Sequence, residues 1–104
     1  MPSMNVRTVA DFLADDTRDL VLLDVRSVVE HLEAHIPGSR LMPLDTLHRE
    51  LHRLAQGPLY IVYCMTGRRS REACNILCGR GLDACHLEGG IIEWLERGYE
   101  VVSG

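Results

Sequence analysis

The sequence predicts an α/β fold in which five parallel strands form one sheet between two layers of helices. Short apolar runs alternate with helical patterns along the chain, and this alternation is typical of strands joined by crossover helices. Two runs, residues 20–23 and 59–63, are continuously apolar, which indicates strands with both faces buried. With 104 residues, the chain is long enough for one domain and too short for two. We therefore predict a single three-layer α/β/α domain over residues 1–104.

The first two strand and helix pairs occupy the first third of the chain. A short edge strand at residues 5–7 precedes Thr8, the predicted N-cap of a helix with an apolar face made of Val9, Phe12 and Leu13. After the strand at residues 20–23, Ser27 and Glu30 have the spacing of a capping box. This box predicts a short helix to residue 34, which the turn-forming residues 35–38 end.

Three further pairs follow. A strand at residues 40–42 leads into a helix with one apolar stripe, formed by Leu44, Leu47, Leu51 and Leu54. The strand at residues 59–63 precedes a helix at residues 70–80, and a strand at residues 84–87 precedes a helix at residues 91–97. Glycines close to the ends of these last two helices predict their termination. Trp94 and Leu95 are predicted to face the sheet.

Cys64 is the candidate nucleophile because it lies where the strand at residues 59–63 passes into a helix. Ligands bind at the carboxyl ends of parallel strands. Backbone N–H groups without an intrahelical partner, together with the positive end of the helix dipole, favour a thiolate there.

The residues around Cys64 are suited to a small anion. Gly67 permits a turn at positive φ, and Arg68, Arg69 and Arg71 place three positive charges within seven residues of the sulfur. The predicted substrate-binding residues are Met65, Thr66, Gly67, Arg68, Arg69 and Ser70. Asp24 and Arg26 follow the strand at residues 20–23 and reach the same edge of the sheet. With Glu30 they are predicted to form an ion-pair set that supports the loop.

Composition and charge exclude several classes of function. A net charge of −4, from 11 basic and 15 acidic residues, argues against a nucleic-acid partner. No segment approaches the roughly 20 apolar residues of a membrane span, and no secretory signal is visible. We therefore expect a cytoplasmic protein with reduced thiols, no membrane partner and no metal, because no C-x2-C pair is present. Cys74, Cys78 and Cys85 are predicted to be small core residues.

Four motifs in order along the chain resemble the rhodanese family. They are Leu22-Leu23-Asp24-Val25-Arg26 with Glu30, His35-Ile36-Pro37-Gly38-Ser39, Cys64-x-x-Gly67-x-Arg69-Ser70, and Leu87-Glu88-Gly89-Gly90-Ile91 with Trp94. The resemblance covers nearly the whole chain, and the length of the chain is similar to that of the single-domain members of the family.

The resemblance implies a five-stranded parallel sheet and a sulfurtransferase without a cofactor, in which Cys64 carries sulfur as a persulfide. Implied partners are a small anionic donor such as thiosulfate, and cyanide or a thiol as acceptor, including a thioredoxin-like protein. Arg69 would close the loop and Arg68 would contact the sulfonate end of the donor. Ser70 would cap the helix and offer its hydroxyl to the loop, and His35 would shape its own turn.

Two alternatives share this fold. Related phosphatases and arsenate reductases have one residue more in the loop, which gives a wider cradle for a tetrahedral oxyanion, whereas Cys64 to Arg69 spans six residues. The second alternative is a binding module that keeps the fold without the chemistry. The presence of both Cys64 and the loop argues against it.

Overall fold

The computed structural model describes residues 2–104, and it confirms the predicted five-stranded parallel sheet with helices on both faces. The strands are β1 (Ser3–Met4), β2 (Leu20–Asp24), β3 (Arg40–Leu41), β4 (Leu59–Tyr63) and β5 (Ala84–Leu87). Their order across the sheet is β1-β5-β4-β2-β3, with every neighbouring pair parallel. The strand before Cys64 is therefore the central one, and the two short strands form the edges.

Five helices connect the strands: α1 (Val6–Leu13), α2 (Val28–Glu33), α3 (Leu47–Glu50), α4 (Arg68–Gly79) and α5 (Gly90–Glu96). Short 3-10 turns at Leu44–Thr46 and Leu51–Arg53 extend α3 at both ends. One core packs α3 and α4 against Leu23 and Val62, while the other packs α1 and α5 against Leu22 and Ile61. Neighbouring residues of one strand thus enter opposite cores, which is why these strands are continuously apolar.

Several predicted boundaries are wrong. The first strand lies at Ser3–Met4 and not at residues 5–7, because α1 already begins at Val6. The side chain of Asn5 accepts from the Thr8 N–H at 2.8 Å, so Asn5 and not Thr8 is the N-cap. Asparagine is among the best N-cap residues, and its position three before Thr8 was the missed signal.

Some apolar side chains face solvent against expectation. Leu13 and Leu95 are exposed, although Trp94 is buried as predicted. Cys74 and Cys85 are buried as predicted, whereas Cys78 is exposed. The capping box of Ser27 and Glu30 is present, but α2 buries none of its residues, and Val28, Val29 and Leu32 remain exposed. Within residues 2–104 no helix has the length and apolar character needed to cross a membrane.

Candidate active site

The Cys64 loop curls around its own sulfur atom. The Sγ atom accepts from the backbone N–H of Gly67 at 3.1 Å and of Ser70 at 3.4 Å. Gly67 has a φ of +114° and is the N-cap of α4. Because a side chain is strained at such an angle, glycine lets the chain turn back so that both N–H groups point at the sulfur. The arrangement is a nest for one negatively charged atom.

Ser70 lies in the first turn of α4, so the prediction that it caps the helix is wrong. The serine is fully buried, and its Oγ lies 3.6 Å from Cys64 Sγ and donates to the Gly67 carbonyl at 3.1 Å. A single hydroxyl therefore contacts both the sulfur and the turn that surrounds it. The helix begins two residues before the predicted start because Gly67 replaces a side-chain cap.

Several hydrogen bonds together lower the pKa of the Cys64 thiol, although the thiol is buried. Burial is the largest single influence and raises its pKa. The side-chain hydroxyl of Ser70 and the backbone N–H groups of Ser70, Gly67 and Thr66 act in the opposite direction and together lower the pKa below its ordinary value. The thiolate is thus stabilised relative to that of an ordinary cysteine, although Cys64 is only 1% exposed.

The start of α5 holds the Cys64 loop in place through backbone hydrogen bonds. The N–H groups of Ile91 and Ile92 donate to the carbonyls of Cys64 and Met65 at 3.0 and 3.2 Å. A Cβ on Gly90 would lie 2.7 Å from the Cys64 carbonyl oxygen and closer still to that of Met65. Only glycine permits this approach. The glycine pair Gly89-Gly90 directly before a helix is the sequence signal of this close backbone contact.

Arg69 connects the Cys64 loop to α2. Its guanidinium makes two hydrogen bonds to the Glu30 carboxylate, at 2.6 and 2.8 Å. The hydrogen bond from Arg69 is the main reason why the pKa of Glu30 falls to about 2. Glu30 also accepts from the Ser27 N–H, so one carboxylate joins the helix cap to the loop.

The other two members of the predicted support set form a separate cluster. Asp24 is fully buried and accepts from Arg26 in a bidentate pair at 2.9 and 2.7 Å. His31 Nδ1 and the Tyr63 hydroxyl also contact Asp24. Glu30 does not join this cluster, which corrects the prediction of a single set. The cluster fixes the end of β2 beside the end of β4, where the loop begins.

A cavity of about 480 Å³ opens above the sulfur and is lined by Cys64, Thr66, Arg68, Arg69 and Glu72. Arg68 is exposed and forms no ion pair within residues 2–104. The side chain of Met65 instead packs against the core on the α1 and α5 side. Met65 therefore contributes only its backbone to the loop. No group of three or more His, Cys, Asp or Glu residues that could hold a metal exists among the described residues.

A thiol at the end of the central strand, with backbone N–H donors aimed at its sulfur, is typical of proteins that use a cysteine as a nucleophile. Comparison with known proteins identifies the family. The chain matches the rhodanese-like domain over residues 7–97. It therefore belongs to the rhodanese family.

Similar proteins include solved and curated members. A rhodanese-related protein from Thermoplasma volcanium superposes with a TM-score of 0.92 at 31% identity and covers 100% of both chains. A sulfurtransferase from Allochromatium vinosum is 30% identical over 85% of this chain and 83% of its own length. The Mycobacterium tuberculosis protein named "Probable adenylyltransferase/sulfurtransferase MoeZ" is 39% identical over 88% of this chain, which spans only 24% of MoeZ. Both of these curated relatives carry the word sulfurtransferase in their names.

Proposed function

We propose that this protein is a sulfurtransferase that carries a sulfane sulfur on Cys64 as a persulfide, with a small anion such as thiosulfate as donor. The observation that supports this most strongly is the nest: two backbone N–H groups lie 3.1 and 3.4 Å from Sγ at the closed end of a six-residue loop. Such donors stabilise a charged sulfur without a cofactor or metal.

The first half of the reaction loads the sulfur. The Cys64 thiolate attacks the outer sulfur of thiosulfate, the sulfur–sulfur bond of the donor breaks, and sulfite leaves with the electron pair. The persulfide that forms keeps one negative charge, which the loop N–H groups continue to stabilise. Arg68, exposed and without an ion pair in residues 2–104, lines the same cavity and attracts the sulfonate end of the donor.

The second half unloads the sulfur. Cyanide or a thiolate attacks the outer sulfur of the persulfide, and the electron pair of the broken bond returns to Sγ as the thiolate. A low-molecular-weight thiol or a thioredoxin-like protein, acting in the cytoplasm, fits this role, since the cavity above Cys64 is open to solvent and lined by polar side chains.

The test is the formation of thiocyanate from thiosulfate and cyanide, together with the intact mass of the protein after thiosulfate alone. We expect wild type to gain one sulfur atom on the peptide that contains Cys64, and Cys64→Ser to lose both the adduct and the activity. Cys78→Ser is the matched control because it removes an exposed thiol from the helix that follows the loop. A wild type that gains no sulfur, or that hydrolyses an aryl phosphate instead, overturns the proposal.

A further inference from the structure

A second cavity lies beside the active-site cavity, on the other side of the loop. It has a volume of about 610 Å³, within the range of about 300–1,000 Å³ of small-molecule sites. Thr66 and Arg68 line both cavities and form the wall between them. Arg71, His86 and Glu88 complete the charged lining of the second cavity. Cys64 is not part of this lining, so a molecule bound there leaves the nest around the sulfur free.

His86 is the unusual residue of this cavity. Its side chain is only 6% exposed, yet its Nδ1 atom has no hydrogen-bond partner within residues 2–104. Buried polar atoms are nearly always hydrogen-bonded, so His86 is an exception among the residues that line this cavity. Burial and the charge of Arg71 lower the pKa of His86. The ring also packs close to Gly67, since its Cε1 would lie 3.9 Å from a Cβ placed on that glycine.

The charges of the cavity favour an anion. Arg68 and Arg71 supply two guanidinium groups, and neither forms an ion pair within residues 2–104. Glu88 is the carboxylate of the lining, and its Oε2 accepts from Ser3 Oγ at 2.9 Å. The two arginines therefore outweigh the one acid, and a bound carboxylate would meet two guanidinium groups beside the imidazole ring of His86.

We propose that this cavity binds the carboxylate of a small thiol that accepts sulfur from Cys64, with Arg71 and His86 as its binding residues. The proposal rests on the sulfurtransferase function proposed above. The thiolate of the acceptor attacks the outer sulfur of the Cys64 persulfide and forms a new sulfur–sulfur bond. The bond from that sulfur to Sγ breaks, its electron pair restores the Cys64 thiolate, and the acceptor leaves as a persulfide with its carboxylate unchanged.

The position of the cavity favours the acceptor over the donor as the source of the anion. In thiosulfate the charged oxygens are one atom away from the sulfur that is transferred. With its outer sulfur at Sγ, this anion meets the residues that line the cavity of Cys64, which do not include Arg71 or His86. A thiol whose carboxylate is separated from sulfur by two or three carbons can extend from Cys64 toward the neighbouring cavity, which shares Thr66 and Arg68 with the first.

The test compares two acceptors with thiosulfate as the donor: 3-mercaptopropionate, which carries a carboxylate, and the neutral 2-mercaptoethanol. The measured quantity is the ratio of their kcat/KM values, in which the intrinsic reactivity of each thiol cancels between variants. We expect Arg71→Gln and His86→Leu each to lower the ratio about tenfold. Arg80→Gln removes the same charge from the other end of α4 and is expected to keep the ratio of wild type.

A second measurement needs no turnover. In the Cys64→Ser protein, NMR titration of the His86 ring with propionate should raise the pKa of His86, because a bound carboxylate stabilises the imidazolium, and Arg71→Gln should abolish the effect. Failure of wild type to form a persulfide overturns the proposed function alone. A normal persulfide with an unchanged acceptor ratio in both variants, or a rise in the KM for thiosulfate in place of the ratio change, overturns the acceptor site.

Discussion

Three thiols, one before α4, one within it and one on β5, are equally buried but differ in acidity. Before the helix, Cys64 is 1% exposed, while Cys74 within the helix and Cys85 on the neighbouring strand are 0% and 3% exposed. Burial raises the pKa of Cys74 to about 12 and of Cys85 to about 11, with the nearby Cys78 adding to both. The pKa of Cys64 is lowered instead. Burial alone makes a thiol inert, and N–H donors aimed at the sulfur reverse its effect.

Gly90→Ala should change the reactivity of Cys64 more than the other variants, because it disturbs the nest of N–H groups without altering the thiol. The new Cβ would overlap the carbonyls of Met65 and Cys64, at a φ of +62°. We expect kcat/KM for thiosulfate to fall about a hundredfold, as for misplacement of a reacting group by about an ångström, and stability to fall by about 1–3 kcal/mol.

The control for this prediction is Gly81→Ala. Its φ is +81°, but a Cβ there meets no atom within 4 Å, so the strain affects stability and not the site. Thermal melts of both variants separate the two effects. A folded Gly90→Ala protein with the activity of wild type would show that the loop does not depend on the contact with α5.

Ser70→Ala should bring Cys64 closer to the behaviour of the other buried thiols. The hydroxyl contributes to the lowered pKa of Cys64, and hydrogen bonds to charged groups contribute about 1.5–3 kcal/mol. We expect the pKa of Cys64 to rise, with a decrease in activity at neutral pH. The pH dependence of iodoacetamide alkylation, followed by peptide mass spectrometry, measures the change. An unchanged alkylation midpoint would leave the backbone N–H groups as the cause of the low pKa.

Arg68→Ala should affect binding more than turnover. If the exposed guanidinium attracts the donor, its loss raises the KM for thiosulfate several-fold while kcat changes little. Arg80→Ala is the control at the far end of the same helix, away from Cys64. An unchanged KM in Arg68→Ala would remove this arginine from the donor site.

Glu30→Gln should have the smallest effect. It should change mainly the pH dependence of the free energy of unfolding. The folded pKa of Glu30 is about 2 against an ordinary 4.5, so its ion pair with Arg69 stabilises the protein above pH 4.5 and is lost as pH falls toward 2. Because Arg69 is 39% exposed, we expect a difference below about 1 kcal/mol. Urea unfolding of both proteins between pH 2 and 6 measures it, with Glu50→Gln as the exposed-pair control.

Local signals predicted the parts of the molecule that depend on neighbouring residues. The strand at Leu59–Tyr63, the capping box of Ser27 and the position of Cys64 all follow from patterns within a few residues. The pairing of Glu30 with Arg69 was not predicted, because it joins residues 39 positions apart. Such a contact depends on β4 lying beside β2, and hydrophobic periodicity does not specify strand order.

Cys78 shows a second limit of local patterns. It lies four residues after Cys74 on the same face of α4, so periodicity places both in the core. In the last turn of this helix the buried position belongs to Leu77, and Cys78 beside it is exposed. For the same reason the contact between Gly90 and Met65 was missed: the sequence shows which residues are small, but not which backbone approaches them.

The support of the loop by α5 has a consequence for the synthesis of the protein. The Cys64 and Met65 carbonyls receive their donors from Ile91 and Ile92, and parallel strands pair only across long connections. During translation, Cys64 emerges from the ribosome before Ile91 and Ile92 do, so the loop around its sulfur first meets solvent without these two donors. Docking of α5 then fixes the loop through both hydrogen bonds. The surroundings of the reactive sulfur are therefore completed by a segment that follows it by almost thirty residues.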